Sequence, residues 1–153
     1  MGKYYITTPI YYVNDSPHIG TAYCTIAADA LARYQRMLGN EVLFATGTDE
    51  NGLKVAEAGI RQGMEPQDFV DRMAGVFAET WQKLGVSYDE FIRTTEPRHR
   101  RAVQALVERL YERGAVYQDT YEGWYCLSDE TFFRESDLVE GRCPNPWCGR
   151  EVE

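Results

Sequence analysis

The chain is 153 residues long and carries 24 acidic against 16 basic side chains, a formal charge of −8. With 44% hydrophobic residues and no apolar run near the ~18 residues of a membrane span, it reads as a globular protein with room for one sizeable core. The opening Met1-Gly-Lys-Tyr-Tyr-Ile-Thr-Thr-Pro9 lacks the apolar stretch and small-residue cleavage site of a signal peptide, so membrane insertion and secretion drop out and a cytoplasmic location is expected. The acidic balance also argues against a hold on DNA or RNA by charge alone.

Lys3–Thr8 is β-branched and aromatic and predicts a short buried strand. Pro9 breaks it, and Tyr11–Pro17 reads as a loop rich in turn residues. From His18 the apolar positions Ile19, Ala22, Tyr23, Ile26, Ala27, Ala30, Leu31, Tyr34 and Leu38 keep helical spacing, with Cys24 as a core thiol and Gly39 as the C-terminal cap. Glu41–Thr46 is a second strand. Strand, loop, helix and strand make a βαβ unit with parallel strands and a right-handed crossover, so the expected fold class is α/β, an open parallel sheet of the dinucleotide-binding type.

Gly47-Thr-Asp-Glu-Asn-Gly52 follows as a polar turn at a strand's carboxyl end, the edge where ligands sit in such sheets. Helices are predicted over 53–62 and from Pro66, the second with the stripe Phe69, Val70, Met73, Val76, Phe77, Trp81 and Leu84. Tyr88–Arg93 is a candidate strand. Thr95 is a candidate cap for a helix to about Arg113 bearing Val103, Leu106, Val107, Leu110 and Tyr111, and Gly114 ends it. Beyond it, Val116–Gln118, Gly123–Cys126 and Thr131–Phe133 suggest short strands. Residues 1–114 are therefore read as one domain and 115–153 as the start of a small β-rich appendage, truncated at Glu153 before any closing element.

Pro17-His-Ile-Gly20 sits where a loop enters a helix. A helix N-terminus offers unpaired N–H groups and a positive dipole end, both suited to phosphate. His18 adds a donor there, and Gly20 lets a ligand approach the backbone. Of the four cysteines, Cys126, Cys143 and Cys148 cluster in the last 28 residues, which in a cytoplasmic chain suggests a metal before a disulfide. Arg33, Arg36, Arg98, Arg100 and Arg101 read as a solvated surface, given Glu96 and Glu108 nearby.

Thr7-Thr-Pro-Ile-Tyr-Tyr-Val-Asn-Asp-Ser-Pro-His-Ile-Gly20, then Ala28-Asp-Ala-Leu-Ala-Arg-Tyr34 and Thr46-Gly-Thr-Asp-Glu-Asn-Gly52, closely resembles the start of a class I aminoacyl-tRNA synthetase, and within that family its methionine-specific branch. Phe91-Ile-Arg-Thr-Thr-Glu96 and Tyr121-Glu-Gly-Trp-Tyr-Cys126 are similar to the segments that follow there. The resemblance implies the first half of a Rossmann-type (HUP-like) nucleotide-binding domain and the start of a zinc-knuckle-like insertion. It implies an ATP- and methionine-dependent ligase serving tRNA(Met), with ATP used as its Mg2+ complex. His18 and Thr21 match the two histidine positions of the HIGH signature, a catalytic and ATP-binding pair, with Gly20 against the adenine. Pro9, Ile10 and Tyr12 match the methionine pocket, and Asp49 matches the carboxylate that receives the substrate ammonium group.

The resemblance also implies two Cys-x-x-Cys-like pairs at the insertion, here Cys126 with Asp129 and Cys143 with Cys148. Three thiolates and one carboxylate suit tetrahedral zinc, whereas relatives that keep an aspartate at the place of Asp129 without zinc leave a metal-free knuckle as the alternative. The family's downstream KMSKS loop does not occur in these residues, so the chain by itself is expected to be inactive. Two other readings stay open: a stand-alone nucleotide- or amino-acid-binding module, and a class I enzyme for isoleucine, valine, leucine or cysteine.

Overall fold

The computed structural model describes residues 2–153, which divide into two compact units at the Arg109–Leu110 bond. In the first unit, β1 (Lys3–Thr7), β2 (Tyr11–Tyr12), α1 (Ile19–Met37), β3 (Glu41–Asp49), α2 (Leu53–Arg61), α3 (Pro66–Lys83) and β4 (Glu90–Arg93) follow in order, and then α4 (Pro97–Glu112). All strand pairings of the sheet are parallel and all are made to β3. This is the expected α/β fold. Ala45 pairs with both Thr7 and Glu90, and Thr48 with both Tyr11 and Arg93, so β1 and β2 share one side of β3 and β4 takes the other.

The segment expected as a loop from Tyr11 contains the short strand β2, which resumes the line of β1 after a break. Pro9 has no N–H to donate there. Across the break three residues, Thr8–Ile10, stand opposite two, Thr46 and Gly47, because Thr7 pairs with Ala45 and Tyr11 with Thr48. Such an extra residue exchanges the faces of everything after it. Tyr4, Ile6 and Thr8 are the less exposed residues before the break, whereas Tyr11 and Val13 are the buried ones after it. The Tyr11 ring stacks on Phe77 and lies against Trp81, within a core completed by Val13, Val55, Phe69, Val70 and Met73.

The expected helix forms as α1, but one expectation about it is corrected, and its apolar period does not mark its buried face. Its buried residues are Thr25, Ala28, Asp29 and Ala32, while Ile19, Tyr23, Ile26, Leu31, Tyr34 and Leu38 are exposed, and so is Cys24, read above as a core thiol. Small residues let the helix approach β3, and the polar Asp29 is satisfied there: it accepts from the Ser87 N–H and hydroxyl at 2.7 and 2.6 Å and from Arg33 Nε at 2.7 Å. Burial pushes the Asp29 carboxyl up, but the Ser87 and Arg33 donors outweigh it and hold it below its ordinary range. β1 is likewise less buried than expected, with Tyr5 exposed.

The stripe predicted on α3 does form the core, through Phe69, Val70, Met73, Phe77 and Trp81. On α4 no residue is buried, and the Thr95 hydroxyl, expected to cap that helix, donates instead to Glu50. Gly39 takes the left-handed conformation just after Leu38, as a C-terminal glycine should.

The second unit, Leu110–Glu153, holds one antiparallel hairpin, β5 (Trp124–Cys126) with β6 (Thr131–Phe133); Val116–Gln118 is not a strand. The chain end returns to this hairpin through reciprocal Tyr125 and Glu153 backbone bonds of 2.7 and 3.0 Å. Among the described residues no helix is long and apolar enough to cross a membrane.

Candidate active site

Because β2, β3 and β4 run parallel, their carboxyl ends share one edge, and the loop after β2 delivers the N-terminus of α1 to it. His18 is the N-cap of α1. Its Nδ1 accepts the Gly20 N–H at 3.1 Å, which leaves the neutral ring's proton on Nε2, pointing away from the cap. Thr21 closes the box from the other side: its hydroxyl accepts the His18 N–H at 3.0 Å and donates to the His18 carbonyl at 2.8 Å. A Cβ on Gly20 would stand 2.9 Å from His18 Cε1, so the histidine ring occupies the space that this glycine leaves open.

One turn on, the Thr25 hydroxyl donates to the Thr21 carbonyl at 3.0 Å and is paired with the Tyr11 hydroxyl at 2.8 Å. The buried tyrosine of β2 thereby anchors the first turns of α1. Tyr12, next in the chain, is 52% exposed against 8% for Tyr11. The bulge turns Tyr11 into the core and leaves Tyr12 outside it. Tyr12 is the register partner of Asp49, so both face one side of the sheet, and no hydrogen bond or ion pair engages the Asp49 carboxylate among the described residues. Pro9 and Ile10 lie in the bulge itself, both exposed.

Sequence reasoning missed Glu50 and Arg93. The Glu50 side chain is fully buried, and Arg93 Nε and Nη2 donate to its two oxygens at 2.7 and 3.0 Å. The signal was strand alternation: with Asp49 turned out, Glu50 turns in, beside the buried Thr48. Glu50 and the second carboxylate, on Asp71, both raise the affinity of Arg93 for its proton, against the effect of burial. Gly47 permits the close packing of β3 on β4, since a Cβ there would lie 1.9 Å from the Ile92 carbonyl oxygen.

In the second unit, ligand atoms of Cys126, Asp129, Cys143 and Cys148 all lie within 4.8 Å of one another. The Cys126 and Cys148 sulfurs are 3.6 Å apart, close to the ~3.8 Å edge of a tetrahedron with zinc–sulfur bonds of about 2.3 Å. The Cys143 thiol donates to Asp129 at 3.2 Å, and Asn145 Nδ2 donates to the same oxygen at 2.8 Å. Burial, joined by the Asp129 carboxylate and the other thiols, pushes Cys143 up to about 12. Burial acts on Cys126 in the same sense but is outweighed by N–H donors from Asp129 and Ser128 and by the neighbouring thiols, so it lies below its ordinary value. The four groups can hold a metal ion.

The family model described as tRNA synthetases class I (M) matches residues 4–153. The methionine–tRNA ligase of Caldanaerobacter subterraneus is 49% identical over 98% of this chain, and that of Thermotoga maritima 49% identical over 99%. The chain spans about a quarter of the length of these relatives, 23% and 24%. Among solved structures, Mycobacterium tuberculosis methionyl-tRNA synthetase in complex with methionyl-adenylate superposes with a TM-score of 0.89 at 43% identity, over 100% of this chain and 30% of that one. With a family model covering nearly all of its residues, the chain belongs to the class I tRNA synthetases, in the group that the model designates M.

Proposed function

We propose that the chain is the N-terminal part of a cytoplasmic methionine–tRNA ligase, which joins methionine to ATP as methionyl-adenylate and passes the methionyl group to tRNA(Met). The observation that carries this reading is the unpartnered Asp49 carboxylate beside Tyr12 at the carboxyl edge of the sheet. A half-buried carboxylate without a partner, next to an aromatic wall, suits a substrate with a cationic ammonium group and an apolar, polarizable side chain.

In this reading Asp49 receives the methionine ammonium, while Pro9, Ile10 and Tyr12 line the side-chain pocket. The methionine carboxylate attacks the α-phosphorus of Mg2+-bound ATP; a new oxygen–phosphorus bond forms as the bond to pyrophosphate breaks. His18, with Nε2–H directed outward at a helix N-terminus, stabilises charge growing on the phosphates. Thr21 serves chiefly by fixing His18, since its hydroxyl proton is already given to the His18 carbonyl. Gly20 lets the histidine ring and the adenine lie close to the backbone. The Cys126, Asp129, Cys143 and Cys148 cluster binds structural zinc. Domain limits at residues 1–114 and 115–153 belong to the same proposal.

ATP–pyrophosphate exchange by the product of the complete reading frame tests it, with each amino acid supplied in turn. Exchange driven by methionine is expected. Exchange driven by isoleucine, valine, leucine or cysteine instead, or tight ligand binding without turnover, would overturn it. The isolated 153 residues are expected to show no exchange, because the KMSKS side of the site is not among them.

A further inference from the structure

Glu50 follows Asp49 directly and is as enclosed as Asp49 is available. Thr48 Oγ1 donates to its Oε1 at 2.6 Å and Arg93 Nε to the same atom at 2.7 Å; Arg93 Nη2 at 3.0 Å and the Thr95 hydroxyl donate to Oε2. Four donors fill what a carboxylate can accept. The backbone is tied at the same place: the Glu50 N–H donates to Thr94 Oγ1 at 2.8 Å, and the Thr94 N–H to the Thr48 carbonyl at 3.3 Å. Residues on either side of Asp49 are thus bound to Arg93–Thr95 at the exit of β4. Asp49 alone in this turn faces the other way, towards the Tyr12 side, without a donor.

Stability is a weak reason for this arrangement. A buried ion pair repays its desolvation only with good geometry, and an apolar pair of similar volume often serves a core as well. What an ion pair with four donors supplies is a single geometry. It also neutralises the second of two adjacent acids, so that the negative charge presented at the edge is that of Asp49. Arg93 reaches further, to Asp71 on α3, and fixes the turn to the helix layer.

The geometry points to Glu50 as a positioning residue for the amino-acid substrate: through Arg93 it locks the exit of β3, so that the Asp49 carboxylate is held towards the Tyr12 face. The inference rests on the reading of Asp49 as the group that receives the substrate ammonium. A charge partner displaced by a fraction of an ångström loses much of a charge-assisted bond while the phosphate side of the site is untouched.

Glu50→Gln keeps the shape but sets an amide N–H2 against donors that faced a carboxylate oxygen. In ATP–pyrophosphate exchange by the complete gene product, the KM for methionine is expected to rise about tenfold with the KM for ATP within about twofold. Thr95→Val, which removes one donor and leaves the ion pair, should shift the methionine KM in the same direction by about threefold, and it serves if the glutamine variant does not fold. The paired change Glu50→Leu with Arg93→Met should restore thermal stability without restoring the methionine KM, which a merely structural role would not produce. A folded Glu50→Gln protein with an unchanged methionine KM, or one in which both KM values rise together, overturns the inference; where it does not fold, an unchanged methionine KM in Thr95→Val does so. Asp49→Asn run in parallel separates the two levels. If it too leaves the methionine KM unchanged, the reading of Asp49 has failed; if it raises that KM while Glu50→Gln does not, only the positioning role has.

Discussion

Tyr12 and Asp49 are register partners on adjacent parallel strands, and they share a face only because one extra residue at Thr8–Ile10 reverses the alternation of the strand line before them. Without that bulge Tyr12 would turn into the core and Tyr11 out. The proline-marked break therefore sets which of the two aromatic rings is exposed.

If Asp49 receives an ammonium group, Asp49→Asn removes the charge from a charge-assisted pair, a loss of about 1.5–3 kcal/mol. The expected result is a methionine KM raised roughly ten- to hundredfold, with the KM for ATP little changed. Steady-state exchange at varied methionine and ATP checks it, and an equal rise in both constants contradicts the assignment.

Gly20→Ala tests the α1 cap. The added Cβ meets His18 Cε1 at 2.9 Å, and the ring, being a side chain, is what moves. The Nδ1 acceptor then leaves the Gly20 N–H and the Nε2 proton loses its aim. Exchange turnover should fall tenfold or more, as a misplacement of about 1 Å can cost ~10²-fold, while methionine binding measured calorimetrically stays as it was. Full turnover in a folded Gly20→Ala protein would show that the ring position does not matter.

Asp29 governs a pH dependence of stability. Its carboxyl lies below the ordinary 3.8 in the folded state, so its contribution is complete above that value and fades as pH falls through the lower, folded one. Asp29→Asn should therefore cost about 1.5–3 kcal/mol near pH 7, with the gap to the unaltered protein narrowing as pH falls below the ordinary 3.8. Denaturant midpoints at a pH above and a pH below that value decide it; an equal gap at each would place the loss in packing rather than in charge.

Much of this was legible from residue order. The βαβ pattern, the α3 stripe and the polar turn after β3 all follow from spacing and turn chemistry. The face of α1 did not, because Ile19, Tyr23, Ile26 and Tyr34 keep a helical period as well as Thr25, Ala28, Asp29 and Ala32 do, and period alone does not say which side meets the sheet. Glu50 escaped for a related reason. An acid in a polar turn looks solvated until its partner, 43 residues on in β4, is brought beside it. His18 stands out in the sequence because it sits where a loop enters a helix, and the cysteines because their spacing is compact, whereas Asp49 is singled out through the family resemblance.

The cysteine cluster gives the last test. The second unit has a short hairpin and few buried apolar residues, and a domain of this kind commonly draws its folding energy from a metal. The complete gene product is expected to carry one zinc per chain by elemental analysis, and Cys143→Ser to carry none. Zinc must displace the proton that burial holds on Cys143, so affinity should rise with pH and fall on acidification, with protons released as the metal binds. Limited proteolysis should then cut within residues 110–153 of the chelated or Cys143→Ser protein and spare the zinc-loaded one. Protein purified without zinc, binding none on titration and equally resistant to cleavage, would mean that the hydrogen bonds of Asp129 with Cys143 and Asn145 hold the knuckle by themselves.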